Sequence, residues 1–204
     1  MAYWANSNSS QIASFSTTWT VPPVPEKKDG AIYIFNQLVE TSSLSCILQF
    51  GNTAAGGGEY WAIASWYTGG GHTYYSPLEK VVPGQTITAV MTLKNAFPSG
   101  SETTYNWNAM FSMLPSTSLN VSIPGVFTYA YEALQIYNIS DPSGLPPGYT
   151  IMGSINLALV DGSHPSEINW IPGINAAQGF GLEIISNSSR NGAVKIIYSD
   201  SVNV

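Results

Sequence analysis

The chain has 204 residues, 44% of them hydrophobic and only 9% charged, which is enough for one sizeable core and far below the usual quarter of charged residues. Six Lys and Arg against twelve Asp and Glu leave a net charge of -6, with no basic cluster beyond Lys27-Lys28; this excludes a phosphate-backbone reader, which needs concentrated positive charge. The Ile, Val, Tyr and Trp content argues against disorder, and a surface rich in Ser, Thr, Asn, Gly and Tyr is polar without being ionic, as in extracellular all-β proteins and lectins.

The opening "MAYWANSNSS" has neither the basic start nor the apolar core of a secretory leader, and no later run reaches the length of a membrane span. The expected location is secreted if the chain is a mature form with Met1 added, and cytoplasmic otherwise. In "IASFSTTWTV", Ala13, Phe15, Trp19 and Val21 fall on one face and Ser14, Ser16, Thr18 and Thr20 on the other, the period of a half-buried strand, closed by "PPVP". Similar patterns follow in "GAIYIFNQL", "SLSCILQF", "EYWAIASWYT", "TITAVMTLK", "TYNWNAMFSM", "GVFTYAYEALQIY", "TIMGSINLALV", "FGLEII" and "GAVKIIY". Turn signals separate them: "KKDG", "GNTAAGGG", "TGGG", "VPGQ", "FPSG", "DPSGLPPG", "DGSHP" and "SSRNG". About ten strands without helical periodicity predict an all-β fold, a two-sheet antiparallel β-sandwich forming a single domain over residues 1–204.

Several signals carry little chemistry. "AAGGGEYW" lacks the Lys-Ser or Lys-Thr of a phosphate loop and reads as a β-turn. His72 and His164 stand alone in loops, and Cys46 is the single cysteine. No internal disulfide can form, no metal site is expected, and the thiol reads as a small buried hydrophobe. No cofactor is implied. No Gly-x-Ser-x-Gly elbow supports a serine triad. Asp141 and Asp161 offer one carboxylate each to a calcium site, and Glu183 is an unmotivated partner for Glu132 in sugar hydrolysis. Sequons at Asn8, Asn120, Asn138 and Asn187 permit glycosylation of a secreted eukaryotic chain.

Glu132 shares a strand face with Ala130, Leu134 and Ile136, so it is either solvated with that face or buried with a partner or a raised pKa. Gln49 interrupts Ile47, Leu48 and Phe50; its amide cannot shuttle protons, but its NH2 can stabilise an oxyanion.

With these residues in view, "ANSNSSQIASFSTTWTVPPVP", "ILQFG", "YWAIASWYTGG", "VVPGQTITAVM" and "YAYEALQIY", in order from Trp4 onward, resemble successive strands of the glutamic peptidases, or eqolisins. The resemblance implies a concanavalin A-like jelly-roll sandwich and an acid endopeptidase that needs no metal and no covalent intermediate. It implies a catalytic Gln and Glu from adjacent strands, falling on Gln49 and Glu132. Glu132 would act as general base on a water and then as acid to the leaving amine, with Gln49 stabilising the oxyanion. Where the family has Trp and Asp, this chain carries Ile32 and Asn36, and Ser65 stands where the family has Glu before a Trp-Tyr pair.

A second reading is a non-catalytic, lectin-like module. Tyr60, Trp61, Trp66, Tyr67, Tyr74 and Tyr75 would stack on sugars while amides and hydroxyls bind their OH groups. Alternation puts Trp61 and Trp66 on opposite faces. The expected substrate contacts are Trp61, Trp66, Tyr67, Asn36, Ser65 and Tyr131, and the expected partner is a polypeptide or, alternatively, a glycan, with no nucleic acid. The two readings separate on whether Gln49 and Glu132 come within one water of each other over an open groove.

Overall fold

Alternation between sheet faces dictates the architecture. The computed structural model describes residues 1–5, 10–99, 102–173 and 180–198; the sequon at Asn8 lies outside them. In chain order the strands are β1 (Ala2–Ala5), β2 (Ile12–Thr20), β3 (Ala31–Val39), β4 (Ser43–Thr53), β5 (Gly56–Gly69), β6 (His72–Tyr75), β7 (Glu79–Lys80) and β8 (Thr86–Ser99). They continue with β9 (Glu102–Phe111), β10 (Leu114–Ile123), β11 (Tyr129–Tyr137), β12 (Tyr149–Leu159), β13 (Ile171–Pro172), β14 (Gly181–Ser186) and β15 (Gly192–Ile197). A 3-10 turn at Pro142–Gly144 is capped by Asp141, whose side chain accepts from the Ser143 N–H.

One sheet runs β13-β1-β11-β3-β4-β5-β6, with β7 also on β5, and the other runs β10-β9-β8-β2-β12-β15-β14. The registered pairings are antiparallel. The chain is therefore an all-β sandwich, as the strand pattern predicts. No helix among the described residues is long and apolar enough to cross a membrane.

Between the sheets, Phe15 and Trp19 of β2 meet Ile32, Ile34, Leu48, Phe50 and Trp61 in one continuous apolar cluster. Full burial of an aromatic such as Phe15 or Phe50 contributes about 1.5–3 kcal/mol. The interior positions of β3 are Ile32, Ile34, Asn36 and Leu38, each without exposed surface. Tyr33, Phe35 and Gln37 alternate with them and face outward.

Two turn expectations need correction. "FPSG" is not a turn at its start, because Phe97 and Pro98 continue β8 opposite Thr104 and Thr103. "GNTAAGGG" is mostly strand: β4 runs to Thr53 and β5 begins at Gly56, leaving only Ala54 and Ala55 between them. The described sequon residues Asn120, Asn138 and Asn187 are all exposed.

Candidate functional site

Strand register decides which side chains can act together. On β3, Tyr33 lies opposite Gln49 of β4 and, on its other side, opposite Gln135 of β11. Asn36 lies opposite Cys46 and Glu132. Since side chains alternate across a strand, these rows occupy opposite faces of the sheet.

The Glu132 row points inward. Glu132, Asn36, Cys46 and Ser65 form one line across β11, β3, β4 and β5, and Glu132, Asn36, Cys46 and Ser65 have no exposed surface. The Thr17 hydroxyl, from β2 of the facing sheet, donates to Glu132 Oε1, and Asn36 Nδ2 donates to Thr17 Oγ1 at 3.4 Å. Among the described residues, Glu132 Oε2 and Asn36 Oδ1 have no hydrogen-bond partner. Burial, only partly offset by the Thr17 bond, holds the Glu132 carboxyl well above its usual pKa. Burial thus favours the protonated acid, bonded between the two sheets. The same desolvation pushes the Cys46 thiol up to about 12, the inert buried sulfur anticipated from the sequence.

The Gln49 row points outward. Gln49 is only 1% exposed, because its amide is folded into its own hairpin. Nε2 donates to Thr53 Oγ1 at 3.1 Å and to the Gly56 carbonyl at 3.1 Å, while Thr53 Oγ1 lies 2.9 Å from the same carbonyl. Bare Gly57 leaves space for this amide: a Cβ there would lie 3.0 Å from Gln49 Nε2. Across Tyr33, the exposed Gln135 donates through Nε2 to Tyr137 Oη.

The expected dyad is therefore corrected on two counts. Gln49 and Glu132 occupy opposite faces, and their strands are separated by β3 rather than adjacent. The residue of β11 that shares a row with Gln49 is Gln135. No outward-facing residue of β11, β3 or β4 is an Asp or Glu, and an amide cannot serve as general base.

The expected substrate contacts divide in the same way. Trp66 and Tyr131 face outward in one row with Gln37 and Ser45. Tyr75 packs on Trp66 at 5.0 Å and Tyr3 stacks on Tyr131 at 5.8 Å, so an aromatic pair stands at each end of that row. The Gln37 amide donates to Ser45 at 2.9 Å between them. Asn36, Ser65 and Trp61 belong to the interior. Trp61 packs on Phe50 at 5.3 Å and donates to the Pro23 carbonyl at 3.3 Å. Tyr67 has the inward parity, packs on the core and stacks with Tyr74 at 6.3 Å. Lys80 sits over the Tyr60 ring at 4.0 Å.

Residues missed in the sequence are Tyr33, Gln135 and Tyr137. The signal for Gln135 and Tyr137 was the alternation Tyr129, Tyr131, Gln135, Tyr137 in "YAYEALQIY", which marks an outward polar-aromatic face. Among the described residues no three His, Cys, Asp or Glu side chains are grouped to hold a metal.

Solved structures share this fold, two of them peptidases with peptide ligands. A scytalidoglutamic peptidase with a peptide-based transition-state analogue aligns at a TM-score of 0.56 and 13% identity, covering 95% of each chain. SCP-B, a member of the eqolisin family of peptidases, in complex with the tripeptide Ala-Ile-His, aligns at 0.54 and 13%, covering 96% of this chain and 94% of that one. No family model matches the sequence, and no curated protein matches it.

Proposed function

We propose that this protein binds an extended ligand across the outward face of the eight-stranded sheet and does not hydrolyse it. The carrying observation is that Gln49 shares its row with Tyr33 and Gln135, and that none of these three is a carboxylate. Acid-base hydrolysis needs a group that exchanges a proton near the operating pH, and two amides and a phenol do not supply one. Binding needs only what the face has: aromatic pairs at Trp66–Tyr75 and Tyr3–Tyr131 and the amides of Gln37 and Gln135.

A second reading, an acid endopeptidase, is supported by the fold match over 95% of both chains and by the peptide ligands named for those neighbours. It would require Gln49 to leave Thr53 and Gly56, and a general base other than the core-facing Glu132. Digestion of a denatured protein by wild type, Gln49→Ala and Glu132→Gln, at pH values from about 2 to 7, separates the readings. No cleavage by wild type is expected. Cleavage by wild type that is lost in both variants would overturn the binding reading in favour of the dyad.

A further inference from the structure

At one end of the outward face, where Gly30 precedes β3 and Gly51 ends the regular part of β4, lies a cavity of about 420 Å³, within the range of pockets that hold a small ligand. We propose that it is a subsite for one neutral sugar unit of a glycan. The inference rests on the binding reading above and adds the ligand's class and its place.

The walls are aromatic. Tyr33 and Tyr137 meet edge to face, with ring centroids 5.6 Å apart and planes at 88°, and Tyr137 is 48% exposed. Such a corner offers an apolar surface against which a pyranose C–H face packs. The Gln135 amide fixes the Tyr137 hydroxyl, which makes the ring a preorganised platform.

The floor is bare backbone. Gly51 has φ +88, and a Cβ there would collide with the Gly30 carbonyl. A Cβ on Gly30 would lie 2.6 Å from the Tyr137 carbonyl. No side chain can fill the hollow from below, so the concavity is part of the strand packing.

The rim sets the chemistry. Lys28 is paired with Glu59 at 3.1 Å, so its charge is already answered, and Asp29 adds a negative charge that repels phosphate, sulfate or uronate groups. Asn52 and Asn138 are exposed at the same rim. The Asp29 carboxylate accepts from hydroxyls, while amide and phenol groups both accept from them and donate to them, and together with the tyrosine corner they match a neutral polyol ring.

The test titrates the whole protein with soluble oligosaccharides of glucose, mannose, xylose and N-acetylglucosamine, followed by ligand-observed NMR and calorimetry, with the peptide Ala-Ile-His and a sulfated glycan as comparison arms. Binding of at least one neutral oligosaccharide is expected. It should weaken by about tenfold or more in Tyr137→Ala and in Asn52→Ala and persist in Tyr74→Ala, at the opposite side of the sheet. Thermal melts confirm folding of each variant, and Tyr137→Phe, which keeps the ring and loses the Gln135 bond, should weaken binding less than Tyr137→Ala. Failure of all four neutral sugars, binding unaffected by both rim variants, or Tyr137-dependent binding of the peptide or sulfated glycan alone would each overturn the sugar subsite. Those results leave the binding reading standing as long as digestion stays negative. Cleavage by wild type removes the reading beneath both.

Discussion

Gln49 shows how the partners of an amide decide what it can do. Its Nε2 is held by Thr53 and the Gly56 carbonyl, so the donor an oxyanion would need is occupied within the hairpin. Gln135, two strand spacings away, is exposed, and its side-chain amide donates to Tyr137. Backbones two strands apart are about 10 Å from each other, a gap that two long side chains and one water can close. Gln135→Glu would place in this row the proton-exchanging group it lacks. With the Gln49 donor still held by Thr53 and Gly56, Gln135→Glu alone is expected to give no digestion of a denatured substrate at about pH 4, and digestion that appears there and vanishes when Gln49→Ala is added would show that the amide is free to leave the hairpin. The same assay on Glu132→Gln should show no gain, because that side chain faces the core.

The turn end of the β4–β5 hairpin is tied by the Thr53 hydroxyl, beyond the strand ladder itself. Thr53 Oγ1 accepts from Gln49 Nε2 at 3.1 Å and from the Ala55 N–H at 3.2 Å, and donates to the Gly56 carbonyl at 2.9 Å. Thr53→Val keeps the shape and removes all three bonds, leaving the amide of Gln49 short of a partner. A loss of about 1–2 kcal/mol is expected in urea unfolding, and an unchanged midpoint would show that the hydroxyl only decorates the turn. Elements of this kind differ in how far the sequence discloses them. β2 was legible because Phe15, Trp19 and Val21 alternate with Ser and Thr. β10 was not, since "LPSTSLNVSI" is an edge strand, polar and carrying Pro115, and edges need no apolar alternation. The neighbours that share a face with Glu132, Ala130, Leu134 and Ile136, could be read from alternation, but not whether that face is buried, and the face of Gln49 could not be read at all. Ile47, Leu48 and Phe50 are apolar on both sides of it, so parity is hidden. The register that sets Tyr33 between Gln49 and Gln135 joins segments about a hundred residues apart and is written in packing alone.

Across the whole molecule, buried acids without basic partners push stability the same way. Glu132 faces Thr17 from the opposite sheet, Asn36 from β3 and Ala2 from β1, with no Lys, Arg or His bonded to it. Its folded pKa lies well above the ordinary 4.5, so between those two values the native state holds a proton that the unfolded chain has released. Unfolding then releases a proton, and stability falls as pH rises, by about 1.4 kcal/mol per unit while the condition lasts. Cys46, pushed up to about 12, adds a second loss once an unfolded thiol would ionise, and buried Tyr198, raised through desolvation, adds a third. Asp141, lowered first by its Lys27 bond, works in the opposite sense: its contribution is present above the ordinary carboxylate pKa and disappears as pH falls. Its ion pair lies at the surface and is screened by solvent, so the buried groups dominate. Calorimetry from about pH 4 to 9 should therefore find the highest melting temperature at the acid end and a steady decline above it. In Glu132→Gln the side chain stays neutral in both states, so the decline through the weakly acid and neutral range should flatten while the alkaline loss from Cys46 and Tyr198 remains. A slope unchanged by that substitution would place the responsible proton on another group.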